Sequence, residues 1–316
     1  MRISCAPSPS VTALHNLSPQ IQNRKEHAIM KRHVRLALVV VVGLLSIAVL
    51  VLFGQTANAQ GKRSQELLPP TVFQAAGPTA SSIQSTVDQF RAALGDPNNG
   101  NAAGPLESGR REINWDGGGG VDATTAPVTP FDVFLNTRGG RFTTPGVGLS
   151  QAPPSGGAQN GLAGLFNNPT YAISFSTFSP LRLFTPVGSN VTEASFFVPG
   201  FSGVFPATVR GFGAVFTDVD EPDGLGPLKR RANPRGASTL MEFFDEDNRL
   251  IFSGFVPASP GDGRLSFLGI VFDDARIARV RITAGNVAPG PDDGGENDVV
   301  MMDDFIYGEP QPLSLN

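Results

Sequence analysis

The run Arg110-Arg111-Glu112-Ile113-Asn114-Trp115-Asp116-Gly117 carries the densest chemistry in the chain. As a strand it sets Glu112, Asn114 and Asp116 on one face and Ile113 with the only Trp, Trp115, on the other. Three oxygen-bearing side chains then line one side of a strand whose other side enters a core, and Trp115 is expected there as packing. A second run, Val299 to Gly308, places Asp303 and Asp304 side by side within an otherwise apolar strand. Neighbouring strand residues point to opposite faces, so one of these carboxylates faces inward or sits at a twist. A buried carboxylate needs an arginine or a metal ion as counter-charge. Two further acidic sets have weaker patterns. Asp218 and Asp220 are either ion ligands or an exposed strand end, and the stretch Asp292, Asp293, Glu296 and Asp298 reads as a solvated loop without EF-hand spacing.

What is missing narrows the chemistry further. All three His (His15, His27, His33) and the only Cys (Cys5) precede residue 60. Residues 60 to 316 therefore cannot build a Ser-His-Asp or Cys-His centre, a histidine or thiolate metal site, or a disulfide scaffold.

The elements that must position these residues are mostly strands. Gly and Pro supply 37 and 27 of 316 residues and charged residues only 16%, which excludes a coiled coil or a disordered polyelectrolyte. Ile83, Val87, Phe90 and Leu94 recur at helical spacing with Gly95 behind them, which predicts one short amphipathic helix over 80–95 packing on the domain that follows. Apolar or alternating runs then recur between turn signals at 110–116, 131–135, 170–178, 181–185, 193–198, 207–217, 238–245, 249–256, 264–273, 277–284 and 299–307. Runs of this kind predict an all-β fold, a sandwich whose inner faces take the Phe175/Phe178, Phe196/Phe197, Phe243/Phe244 and Phe267/Phe272 pairs. Asp245 to Asn248 reads as a hairpin turn, and Arg279 and Arg281 oppose Ala278, Val280 and Ile282 on a half-exposed strand. Long loops are expected at 117–127, 139–164, 221–236 and 285–298, a tether at 60–79, the sandwich over 96–308 and a tail at 309–316.

The first and last motifs together resemble secreted bacterial jelly-roll modules of the carbohydrate-binding type, in which an early strand with acidic or amide residues and a last strand with Asp share a structural Ca2+. The resemblance implies a jelly-roll-like β-sandwich in which Glu112, Asn114, Asp116, Asp303 and Asp304 are the metal ligands, with Arg110 or Arg111 as the calcium-independent alternative partner of Asp304. Hard anionic oxygens suit Ca2+. A second resemblance spans more of the chain. Residues 109–117 (GRREINWDG), 211–220 (GFGAVFTDVD), 243–245 (FFD) and 302–308 (MDDFIYG) are similar to motifs of a group of uncharacterised secreted bacterial proteins. The strand Glu112 to Asp116 also resembles the E-x-D-x-E strand of concanavalin-like retaining glucanases, with Asn at the middle position and a shorter Asp at the last.

The N-terminus reads as an address. Lys31, Arg32, His33 and Arg35 precede the 18-residue apolar run Leu36 to Phe53, and Ala57-Asn58-Ala59 follows as a cleavage signature. A signal peptide over 30–59 is expected, or else a retained anchor; Met30 is the expected start, with residues 1–29 upstream of it. Cleavage after Ala59 leaves 18 basic against 27 acidic side chains, a net charge of −9 beside −4 for the whole chain. Such a surface disfavours nucleic acid as a partner. The Lys229-Arg230-Arg231 cluster reads as a solvated loop. These features predict a secreted or extracytoplasmic β-sandwich, stabilised by calcium, that binds or adheres to carbohydrate or another surface polymer. The competing expectations are a structural cell-surface or matrix protein without a specific ligand, and a glycoside hydrolase.

Overall fold

Alternation of apolar and polar residues at period two folds this chain into strands that bury one face, and two such sheets close on one another. The computed structural model describes residues 68–116, 127–157, 160–220, 239–291 and 297–313. The signal-like segment, the Lys229 cluster and Asp292, Asp293 and Glu296 lie outside the described residues. Among the described residues no helix is long and apolar enough to cross a membrane.

The first sheet joins β1 (Thr71–Gly77), β11 (Leu265–Val271), β8 (Gly211–Thr217), β13 (Met301–Gly308), β5 (Leu183–Val187) and β4 (Gly148–Ala152) in that order, with β2 (Arg110–Ile113) also pairing β13. The second joins β10 (Leu250–Phe255), β9 (Leu240–Phe244), β12 (Arg279–Thr283), β6 (Val191–Phe197), β7 (Pro206–Thr208) and β14 (Gln311–Pro312), with β3 (Gly140–Thr143) on β6. Every pairing between named strands is antiparallel. The architecture is an all-β sandwich. Phe212, Ala214 and Phe216 of β8 and Met302, Phe305 and Tyr307 of β13 face Ala194, Phe196, Met241, Phe243, Val280 and Ile282 of the other sheet.

Helix α1 (Ala80–Leu94) lies on the outer face of the first sheet. It buries Ile83, Val87, Phe90 and Leu94 against Val215, Leu265, Phe267, Val271 and Ile306, about 1.5–3 kcal/mol for each large side chain removed from water. Two strand glycines set its approach. A Cβ on Gly213 or Gly269 meets the Phe90 ring at 2.9 or 2.8 Å, so the helix seats itself where the sheet has no side chains. Three one-turn helices, α2 (Leu135–Arg138), α3 (Leu162–Leu165) and α4 (Tyr171–Ser174), fill connections.

Several expectations are corrected. Thr71–Gly77, expected as tether, is the edge strand β1, because Phe73 packs edge-on to Phe90 at 5.6 Å between ring centroids. Gly-rich 139–164 holds β3 and β4, whose short pairings leave little periodic signal. The expected strand at 170–178 is instead the turn α4 with an extended segment after it. Within 309–316, expected as a tail, Gln311–Pro312 pairs β7 and Glu309 is buried. The adjacent Phe pairs do not share one face. Phe196 and Phe243 enter the core, whereas Phe197 and Phe244 lie outside it beneath Arg141 and Arg279 at 4.9 and 3.9 Å.

Candidate functional site

Pairing brings the two motifs together. β2 runs antiparallel to β13 in the register Ile113↔Phe305, Glu112↔Ile306 and Arg111↔Tyr307. On the other edge of β13, Met302 faces Phe216 and Phe305 faces Ala214, so Asp303 and Asp304 together oppose the single residue Val215. This is a β-bulge. The extra residue reverses the alternation: Met302 and Phe305 both enter the core, and the two carboxylates turn away from it.

Each carboxylate is then met by donors from neighbouring elements. Asp303 Oδ2 accepts the Phe178 N–H at 2.6 Å and its Oδ1 the Asp304 N–H at 2.8 Å. Ser179 Oγ donates to Asp304 Oδ1 at 2.6 Å. Arg91, in the last turn of α1, donates from Nε and Nη2 to Glu112 Oε2 at 3.1 and 3.0 Å, and its Nη2 stands 3.5 Å from Asp304 Oδ2. Arg110 Nε holds Glu112 Oε1 at 2.7 Å. Burial drives the Asp303 carboxyl well above the usual carboxylate range, and the charge of Asp304 adds to the shift. Burial also raises Asp304, against the Ser179 hydrogen bond that opposes the rise.

The strand β2 ends at Ile113, and Trp115 follows with a φ of 63° while staying in the core. Asn114 and Asp116 consequently form a separate group. Asn114 Nδ2 donates to Asp116 Oδ2 at 3.0 Å, and Asp116 Oδ1 accepts the N–H groups of Leu181 and, at 2.8 Å, Arg182. The five expected ligands thus divide into Glu112, Asp303 and Asp304 around Arg91 and Ser179, and Asn114 with Asp116 on the 181–182 backbone. The counter-charge of Asp304 is also corrected. It is Arg91 of the helix, while Arg110 turns to Glu112 and Arg111 to Glu309, with Nε to Oε2 at 2.6 Å and Nη2 to Oε1 at 2.7 Å. Among the described residues no group of three or more His, Cys, Asp or Glu side chains is gathered to hold a metal ion.

A second polar site lies where β8 ends and β11 and β13 begin. A cleft of 240 Å³ is lined by Thr170, Ser174, Asp218, Asp220, Asp262, Asn297 and Asp298, with Ile173 and Val299 as its apolar walls. It brings together Asp218 and Asp220 with Asp298, which the sequence places 78 residues beyond Asp220. Asp220 Oδ1 accepts the Gly261 N–H at 2.7 Å, tying the 261–263 turn to the strand end. Ile173 is 68% exposed at the rim.

Sequence reading missed Arg91, Ser179, Glu309 and Asp262. Arg91 had a usable signal, an arginine in the last turn beside the apolar stripe of α1. Asp262 sits in an ordinary Gly-Asp-Gly turn and had none. Comparison of the chain with models of known families, with curated proteins and with solved structures finds no match.

Proposed function

We propose that this protein is an extracytoplasmic jelly-roll β-sandwich that binds carbohydrate or another surface polymer. The single observation that carries the binding reading is the cleft at Asp218, Asp220, Asp262 and Asp298. Carboxylates, hydroxyls and an amide line it, groups that accept from and donate to sugar hydroxyls, and the exposed Ile173 offers an apolar contact for a sugar C–H face. Loops at the end of a rigid scaffold are where such sites are mounted. Support for the jelly roll comes from strand order. β5, β6, β8, β9, β10, β11, β12 and β13 fall into the orders β5-β13-β8-β11 and β6-β12-β9-β10, the arrangement of two Greek keys wound across two sheets. Support for export is the basic, apolar, small-residue order of residues 31–59.

Calcium enters the same proposal as a structural ion. Its support is donor chemistry, since Glu112, Asn114, Asp116, Asp303 and Asp304 offer only amide and carboxylate groups. Against it stands Arg91, whose guanidinium already neutralises Glu112 and Asp304. Extracellular calcium modules bind at about 10⁻⁴ to 10⁻³ M, so at millimolar calcium a site contributes about 0.4 to 1.4 kcal/mol. Melting in calcium and in chelator decides. A calcium-dependent rise in Tm that vanishes in Asp304→Asn supports the ion; equal melting in both buffers assigns the counter-charge to Arg91 alone.

A glycan array probed with the protein tests the binding reading, and release of reducing sugar from the bound glycans tests for hydrolysis. Retention on a defined set of glycans without sugar release is the expected result. No retention on any glycan favours a structural protein, and sugar release favours the hydrolase.

A further inference from the structure

One sheet edge lacks the devices that block pairing with a further strand. Strand β1 ends the first sheet, and its register with β11 runs unbroken from Thr71↔Val271 to Gly77↔Leu265. Its sequence, TVFQAAG, holds no charged residue and no proline. On one face Phe73 and Ala75 pack into the cluster beneath α1. On the other, Val72, Gln74 and Ala76 are exposed, Val72 at 42%. No strand lies along the outer side of β1 among the described residues. Backbone N–H and C=O groups left in a row of this kind are a template for one more strand.

The remaining edges are blunted, each by a different means. β4 is buried along its whole length, and Leu149 exchanges backbone hydrogen bonds with Val128 at 2.9 and 3.3 Å. The 97–99 loop covers β2, with Arg110 N–H donating to Pro97 O at 3.0 Å and Asn99 N–H to Arg110 O at 2.9 Å. Phe131 covers β3 through Phe142 at 2.7 and 3.2 Å. β14 is two residues long and ends in Pro312. β10, last in the second sheet, has a break in register between Leu250 and Phe252 and follows the charged Arg249. Short, kinked, covered or charged edges resist pairing. Among the described residues only β1 is long, regular and uncharged at an open edge.

We propose that β1 pairs antiparallel with β1 of a second copy of this chain, joining the two first sheets across a two-fold axis at Gln74. Two prolines set the register. Pro70 and Pro78 have no N–H to give, and they stand four residues to either side of Gln74. Setting Pro70 beside the partner's Pro78 places Val72 opposite the partner's Ala76, Phe73 opposite the partner's Ala75, and Gln74 opposite the partner's Gln74. A larger side chain then meets a smaller one on both faces, and no like charges meet at the axis. With one open edge, copies meet through the same strand on both sides, so the assembly closes at two. The inference stands apart from polymer binding, because β1 contributes no residue to the Asp-lined cleft.

Analytical ultracentrifugation of the full chain, in a mild detergent that holds the apolar run Leu36 to Phe53, measures association of the parent, Gln74→Lys and Gln74→Glu. Gln74 is exposed, so both variants should keep the circular dichroism spectrum of the parent. The parent is expected to form a dimer that dissociates on dilution. Either variant alone sets like charges face to face and should weaken the dimer about tenfold or more. An equimolar mixture of the two sets lysine against glutamate and should restore it. A parent that stays monomeric up to about 0.1 mM, where a pair with micromolar Kd associates, overturns the inference. So does a dimer that both variants leave intact, or a mixture that associates no better than its components. Assemblies larger than two assign the edge to open-ended growth and overturn the closed pair.

Discussion

Arg111 is fully buried and holds both oxygens of Glu309, while its Nη1 reaches Gly100 O and Ala102 O at 2.8 and 2.7 Å. Glu309 also accepts from Asn99 Nδ2 and the Leu106 N–H. One buried ion pair thereby fastens the 98–106 loop and the chain beyond β13. Removing one member strands the other in a low-dielectric interior, so Arg111→Met should cost about 3–5 kcal/mol in denaturant unfolding. Replacing both with Met should recover part of that loss; no difference between the single and double variants contradicts the assignment. Trp115 is packed in a cluster with Phe131, Phe142 and Phe305 and stacks on Phe184 at 3.8 Å. Trp115→Ala should cost about 3–5 kcal/mol; a variant that melts like the parent sinks the core role. The two residues differ in legibility. Alternation around Ile113 was enough to place Trp115, whereas the partner of Arg111 lies 198 residues away, a distance over which no local pattern operates.

Elements carry the next layer. Without the bulge, β13 would drive one aspartate into the core; with it, both meet α1, β2 and the 178–179 segment on the outer face. Asp303 therefore makes stability depend on pH in a defined sense. Its proton is held more tightly in the folded than in the unfolded chain, so its contribution is fully present below the unfolded value of about 3.9 and is lost as pH rises through the raised folded value. Melting in chelator should show Asp303→Asn gaining on the parent as pH climbs across that window. A constant difference at every pH refutes the assignment. The seat of α1 is testable in the same way. Gly269→Ala presses a methyl against Phe90 and should cost about 1–3 kcal/mol through overpacking, read by denaturant unfolding. The stripe Ile83, Val87, Phe90 and Leu94 is visible in the sequence, and these are the residues α1 buries. The glycines beneath it carry no periodic signal, and the bulge shows in sequence only as two adjacent acids within an apolar strand.

For the molecule as a whole, turn-separated apolar runs are sufficient to specify an all-β sandwich, because strand alternation and sheet closure are local and cooperative requirements. They are insufficient to specify which loops meet. Asp218, Asp262 and Asp298 come from three connections that only the sheet order brings to one end. Of the five residues expected as ion ligands, Glu112 and Asp304 meet Arg91 of the helix, Asp303 accepts the Phe178 N–H, and Asn114 with Asp116 holds the 181–182 backbone. Calorimetric titration of the parent and of Asp262→Lys with the glycan that the array retains most strongly is the most direct test of polymer binding at the cleft. A lysine there fills the Asp-lined space from an exposed turn, so the variant should bind about tenfold or more weakly with unchanged Tm; equal affinity in the two proteins contradicts the cleft as the binding site.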